Sequence, residues 1–340
     1  MALLRTESKT ELEVLSSLLG FKGEKMADVI FAAIDFQGAA NIEEGYKTST
    51  NSEFGIATLD TRDLLRTTQI RKDPSSFIST RTFITGTHKH WRKVTRKYRF
   101  GTPERVSIYE LPAKVRHALM IQDDVAESKP RILVTIQHAF NGHSMHALRV
   151  TKENGLQAVS EELYISRIAA KVLHRRDNCR IPLTELSTEL DLPFREDPDL
   201  HVCGDFGVAG NDANCIIRAL LLLAVRNQET FQCDEDQVRL LAQLRGIAEA
   251  PLPPQKTAME VKRLLALQPT KPLDDSDVPI DTSFFASRLP KSKDEGWRRW
   301  SRRKELHQAH FPTYRESLGS TSEAQESEVE DVSIQNFPAT

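Results

Sequence analysis

Val29-Ile30-Phe31-Ala32-Ala33-Ile34-Asp35-Phe36-Gln37 and, far downstream, Ala209-Gly210-Asn211-Asp212-Ala213-Asn214 are the two stretches on which the fold turns. The first is an almost unbroken apolar run that ends in an acid. A strand covered on one face alternates apolar and polar residues, whereas one buried on both faces reads as a continuous run. The second stretch opens the most apolar helix of the chain, Cys215 to Arg226, with Asn211 or Asp212 placed to cap it.

Working outward, Glu53 to Asp60 reads as a second strand and Arg81 to Thr87 as a weaker third. A basic stretch, His88 to Arg99, ends at the turn signal Phe100-Gly101-Thr102-Pro103. Leu111 to Met120 reads as a helix with Pro112 in its first turn, and Arg131 to Ile136 as a β-branched strand. Helical patterns follow over His143 to Glu153, Ser160 to His174, Leu183 to Leu190 and Glu235 to Ala248. Three early strands followed by alternating helices and strands predict an α/β domain with a mixed sheet. Residues 1–25 read as an amphipathic N-terminal extension and 26–250 as the folded domain. Residues 251–340, rich in proline and then in Ser, Glu and Thr, read as a largely disordered C-terminal tail.

With 340 residues, 39% of them hydrophobic, the chain can bury one core of ~200–250 residues plus extensions. The net charge of −2 supplies no global field for nucleic acid, so any such contact must come from local basic clusters. Cys179, Cys203, Cys215 and Cys233 show no C-x-x-C spacing, which points to reduced thiols inside a cell, cytoplasmic and/or nuclear, and away from a zinc site. No apolar run approaches the ~20 residues that span a bilayer, so no membrane partner is expected.

The ordered set Ala33-Ile34-Asp35, Glu53-Phe54-Gly55-Ile56-Ala57, Tyr98-Arg99-Phe100-Gly101 with Glu104-Arg105-Val106-Ser107, Asn141-Gly142-His143, Arg167-Ile168-Ala169 and Ala209-Gly210-Asn211-Asp212-Ala213 carries a resemblance. It resembles the C-terminal domain of the fungal "Good for Full DEAD-box helicase activity" family, over roughly residues 28–228. That family is similar in turn to the DEDD 3′–5′ exonucleases of the ribonuclease-H-like superfamily. The resemblance implies a ribonuclease-H-like mixed sheet flanked by helices. For active members it implies hydrolysis assisted by two Mg²⁺ or Mn²⁺ ions held by four acids, with a histidine activating water.

On this chain the resemblance places Asp35 at the first acid and Gln37 at the glutamate that should follow it. Ala147 falls at the second aspartate, Gly207 at the water-activating histidine and Asp212 at the final acid. Asp35 and Asp212 can then hold a divalent ion weakly at best. Loss of a positioned base alone costs about 10²–10⁴-fold. The expectation is a degenerate exonuclease-like domain that binds nucleic acid and requires no cofactor. One alternative is an active Mg²⁺- or Mn²⁺-dependent 3′–5′ exonuclease with ligands relocated to Glu43, Glu44, Asp205, His143, His146 or His201. The other is a protein-interaction scaffold without nucleic acid.

Each residue also has a plainer reading. Asp35 can cap a turn at a strand end, Asp212 can be only a helix cap, and His143 can be structural. Lys89, Trp91, Arg92, Lys93, Arg96, Lys97 and Arg99 are the candidate nucleic-acid contacts, charges for phosphates and rings for stacking, or else a solvated face. The basic–aromatic cluster 297–304 reads as an import signal, an RNA contact, a partner-binding segment or a solvated tail. RNA or another single strand is one expected partner. An RNA helicase or mRNA export factor is another, implied by the family's name.

Overall fold

The computed structural model describes residues 9–21, 23, 25–38, 51–66, 73–108, 110–119, 132–138, 159–176, 181–195 and 204–267. Every described residue belongs to one compact unit. Six strands form one mixed sheet: β1 (Val29–Gln37), β2 (Glu53–Asp60), β3 (Ile78–Ile84), β4 (Glu104–Arg105), β5 (Ile132–Gln137) and β6 (Val159–Tyr164), in the spatial order β4-β3-β2-β1-β5-β6. β1 runs antiparallel to β2 and parallel to β5. β2 and β3 are antiparallel, while β3–β4 and β5–β6 are parallel.

The apolar run that opened the sequence is thus the central strand, paired on both edges and covered on both faces. Its alternation sorts the two cores. Phe31 and Ala33 belong to the larger core under the long helix. Ala32, Ile34 and Phe36 pack with Phe54, Phe83 and the apolar stripe Leu111, Val115 and Leu119 of another helix. Asp35 and Gln37, by the period of two, share the face of Ala33. That face carries the candidate site.

In chain order the helices are α1 (Glu11–Leu18), α2 (Thr61–Arg66), α3 (His88–Lys97), α4 (Leu111–Leu119), α5 (Ile165–Val172), α6 (Leu183–Glu189), α7 (Ala209–Gln228), α8 (Glu235–Glu249) and α9 (Ala258–Ala266). Among them α7 is buried nearly all round, as a helix apolar on every side must be. Its first turn lies directly on β2. A Cβ on Gly55 would stand 2.0 Å from the carbonyl of Ala209, and one on Gly210 would stand 1.8 Å from Thr82 Oγ1. Glycine at 55 lets helix and sheet backbones meet this closely, and glycine at 210 leaves room for the Thr82 and Tyr98 side chains. The buried Arg218 of α7 donates to the carbonyls of Ala248 (3.0 Å) and Ala250 at the end of α8, tying the two helices together. Capping boxes at Thr10, Asp234 and Thr257 start α1, α8 and α9.

Several boundaries differ from the sequence reading. The third strand is Ile78–Ile84 rather than Arg81–Thr87. The basic stretch begins with a helix, α3, capped by the Thr87 hydroxyl on the His90 N–H. The pattern over Ser160 to His174 divides into β6 and α5. Neither Asn211 nor Asp212 caps α7: the N-cap is Val208, and both residues lie inside the first turn. Residues 251–257 form a strap and α9 packs Leu265 against Trp91 and its neighbours, so ordered structure extends past residue 250. The rest of the tail, with the cluster 297–304, lies outside the described residues, as does the pattern over His143 to Glu153. No described helix is long and apolar enough to cross a membrane.

Candidate functional site

The carboxyl end of β1 and the first turn of α7 bring together residues 175 apart in sequence. Gln37 Nε2 donates one hydrogen bond to Asp35 Oδ2 at 2.9 Å and a second to Asp212 Oδ2 at 2.9 Å. The amide therefore bridges the two acids, using both of its N–H groups. Asp212 also accepts from the backbone N–H of Gly207, whose nitrogen is 3.2 Å from each carboxylate oxygen. Gly207 has φ +74°, a left-handed conformation that disfavours a side chain. At this position the loop offers a backbone donor to Asp212, not a general base.

A third acid completes the group. Glu53 opens β2 directly opposite Gln37 in the ladder. Its Oε2 accepts the Ala209 N–H at 3.1 Å, the first peptide of α7, and its Oε1 lies 3.3 Å from His90 Nε2 of α3. Glu53 and Asp212 are buried, 4% and 5% exposed, while Asp35 is half-buried.

Burial dominates the electrostatics. Asp35 is pushed up to about 6, against the opposing pull of its hydrogen bonds from Gln37 and the Phe36 backbone. Asp212 is raised well above the usual carboxylate range, first by burial and then by the charge of Asp35. Glu53 rises to about 7 through burial, which outweighs the Ala209 hydrogen bond; Asp35 raises it further, and Lys93 and Lys97 pull it back. The His90 imidazole is pushed down by burial and by Lys93. The Glu53–His90 contact thus joins an acid and an imidazole whose charged forms are both disfavoured by burial.

A divalent cation does not fit this arrangement as it stands. A hard ion needs carboxylate or carbonyl oxygens facing it, and here two N–H groups point at the oxygens that would ligate it. Turning the amide to present Oε1 to an ion would break both hydrogen bonds. Among the described residues no group of three or more His, Cys, Asp or Glu can hold a metal ion. Asp205, a candidate relocated ligand, is committed to Arg99, with Nε at 2.7 Å and Nη2 at 2.6 Å from its Oδ1. Ala147, Glu43, Glu44, His143, His146 and His201 lie outside the described residues.

The candidate nucleic-acid residues separate into two groups. Lys89, Arg92, Lys93 and Arg96 project from the exposed side of α3, and Lys97 is half-buried on the same helix. Trp91 is a correction. It is 2% exposed, packed with Val94 and Tyr98 and facing the Arg105 guanidinium, so it cannot stack on a base. Arg99 is another, since its guanidinium is held by Asp205 and by the Pro253 carbonyl at 2.9 Å. Sequence reasoning missed Glu53 and His90 as members of the site. An acid opening an apolar strand was a usable signal for Glu53. Nothing in the sequence fixes the register that sets it opposite Gln37.

A central antiparallel pair, parallel strands beyond it and an acid from the first turn of α7 beside the acid of the first strand are the frame of the site. Residues 30–223 match the DNA polymerase III subunit epsilon-like, C-terminal domain family, of the DEDDh exonuclease-like class, and the chain belongs to this family. No curated protein and no solved structure matches the chain.

Proposed function

We propose that this domain is a catalytically silent exonuclease-like module that binds single-stranded nucleic acid, RNA in particular. The observation that carries the reading is the Gln37 amide donating to Asp35 and Asp212 at once. A neutral donor occupies the place between two acids where hydrolysis would need a cation. Gly207, in place of a base, uses its N–H to hold Asp212. The domain keeps the frame of the fold while its acids are tied to each other internally. Hydrolysis on this fold depends on metal-bound oxygens, and no step through a metal follows from these residues.

Binding falls to the exposed cations of α3, with Lys93 and Lys97 close enough to act on Glu53. The resemblance to the "Good for Full DEAD-box helicase activity" family supports a place in RNA metabolism or mRNA export. A DEAD-box helicase or export factor would then be the partner, and the cytoplasm and/or nucleus the location.

The test uses the full chain with a 5′-labelled single-stranded RNA, followed by both cleavage and binding. The expected result is no 3′-end laddering in Mn²⁺, together with binding whose log affinity falls against log salt with a slope of about −3 for four phosphate contacts. Alanines at Lys89, Arg92, Lys93 and Arg96 should flatten that slope. Laddering lost in an Asp35→Ala/Asp212→Ala variant would overturn the silent reading, and binding without a salt slope would overturn the RNA surface.

A further inference from the structure

A cleft of about 480 Å³, apart from the carboxylate site, is lined by Arg99, Arg195, Asp205 and the strap that leaves α8. We propose that it is a nucleotide-binding subsite, taking a base against Pro193, Pro251 and Leu252 and a phosphate on Arg195. The inference rests on the nucleic-acid reading for its biological use, and on separate residues for its chemistry.

The walls are fixed before any ligand arrives. Arg195 N donates to Asp205 Oδ2 at 3.1 Å, and Asp205 N donates back to the Arg195 carbonyl at 3.0 Å. Arg99 ties Asp205 to the strap through the Pro253 carbonyl. The buried Arg218 holds the carbonyls of Ala248 and Ala250, the residues that lead into Pro251. A cleft braced by two arginines in this way loses little conformational freedom on binding.

The charges then select the ligand. Arg99 and Asp205 cancel as a close ion pair. Arg195 is exposed, and among the described residues its guanidinium has no carboxylate partner. Among the described lining residues one net positive charge remains, beside two prolines and a leucine. A pocket of this size, with apolar and polar residues in near balance, suits a small flat ligand carrying one anionic group. A guanidinium fork matches a phosphate in geometry as well as charge. Bases also pack against apolar side chains, and the Gln255 amide on the lining can both donate to and accept from a base edge. Arg99 on the cleft wall directly follows Tyr98, the C-cap of α3. A strand whose phosphates lie along α3 can place a nucleotide here.

The probe is AMP, titrated into the full chain by calorimetry or NMR beside adenosine and inorganic phosphate. AMP should bind more tightly than either fragment, and Arg195→Ala should weaken it on the order of tenfold. Arg195→Lys should recover only part of that loss, because an ammonium lacks the fork. Absence of AMP binding, AMP binding unchanged in Arg195→Ala, or phosphate binding as tightly as AMP would each overturn the subsite. Wild-type RNA binding that is indifferent to Arg195→Ala would remove the subsite and leave the proposed function standing. AMP binding that depends on Arg195, in a chain that does not bind RNA, would do the reverse.

Discussion

Gln37→Glu is the change the site geometry speaks to most sharply. It keeps the shape of the side chain and replaces the N–H donor by an oxygen. Two hydrogen bonds to acids, each 2.9 Å in the wild type, are lost. Hydrogen bonds to charged groups contribute about 1.5–3 kcal/mol each. A third carboxyl beside Asp35 and Asp212 adds repulsion that grows as the group ionises. The metal-free variant should therefore be less stable at pH 8 by about 3–6 kcal/mol, a fall in Tm of roughly 6–24 °C for a domain of this size. The fall should shrink toward pH 5, because protonated acids neither repel nor depend on the donor. Millimolar Mn²⁺ should restore much of the loss, since the variant offers three oxygens where the wild type offers an amide. The assay is thermal unfolding of both proteins at pH 5 and 8, with and without Mn²⁺. An unchanged Tm at pH 8, or a loss that Mn²⁺ leaves untouched, would refute the reasoning.

Two further changes test the same region. Glu53 has a folded-state pKa raised from its ordinary 4.5 to about 7, so its contribution to stability is fully present below 4.5 and is lost as pH rises through 7. Glu53→Gln keeps an acceptor for the Ala209 N–H and carries no charge to lose. The variant should match wild type near pH 4.5 and exceed it by about 3 kcal/mol at pH 8 in urea unfolding; equal pH dependence in the two proteins would sink this account of Glu53. Gly55→Ala would set a Cβ 2.0 Å from the Ala209 carbonyl and 2.4 Å from the Gly210 nitrogen. It should cost about 3 kcal/mol or more by lifting α7 from β2. Wild-type stability in that variant would show that the contact between helix and sheet is looser than described.

The sequence carries the frame of the site more openly than the site itself. β1 was legible because a strand paired and covered on both sides is apolar along most of its length, and α7 because a helix buried nearly all round is apolar beyond its first turns. α3 was obscured by its charge: seven of its ten residues are His, Lys or Arg. The apolar positions Trp91, Val94 and Tyr98 nonetheless recur at helical spacing. β6 and α5 merged into one pattern because Tyr164 passes into Ile165 with no capping side chain or breaker between them. Trp91 and Arg99 looked available because residue type says nothing of partners. One is packed in a core and the other is held by an acid 106 residues away. The substitutions at Gln37 and Gly207 could be read as losses. That Gln37 reaches across to Asp212, and that Gly207 lends it an N–H, depends on how the end of β1 meets the start of α7, which no local pattern records.

The claim that an amide has taken the place of a cation is tested most directly by titrating Mn²⁺ into the full wild-type chain, followed by electron paramagnetic resonance of the free ion, beside an Asp35→Asn/Asp212→Asn variant. The account expects the two proteins to bind equally little Mn²⁺ at millimolar concentration. A stoichiometric site present in the wild type and absent from the variant would contradict it.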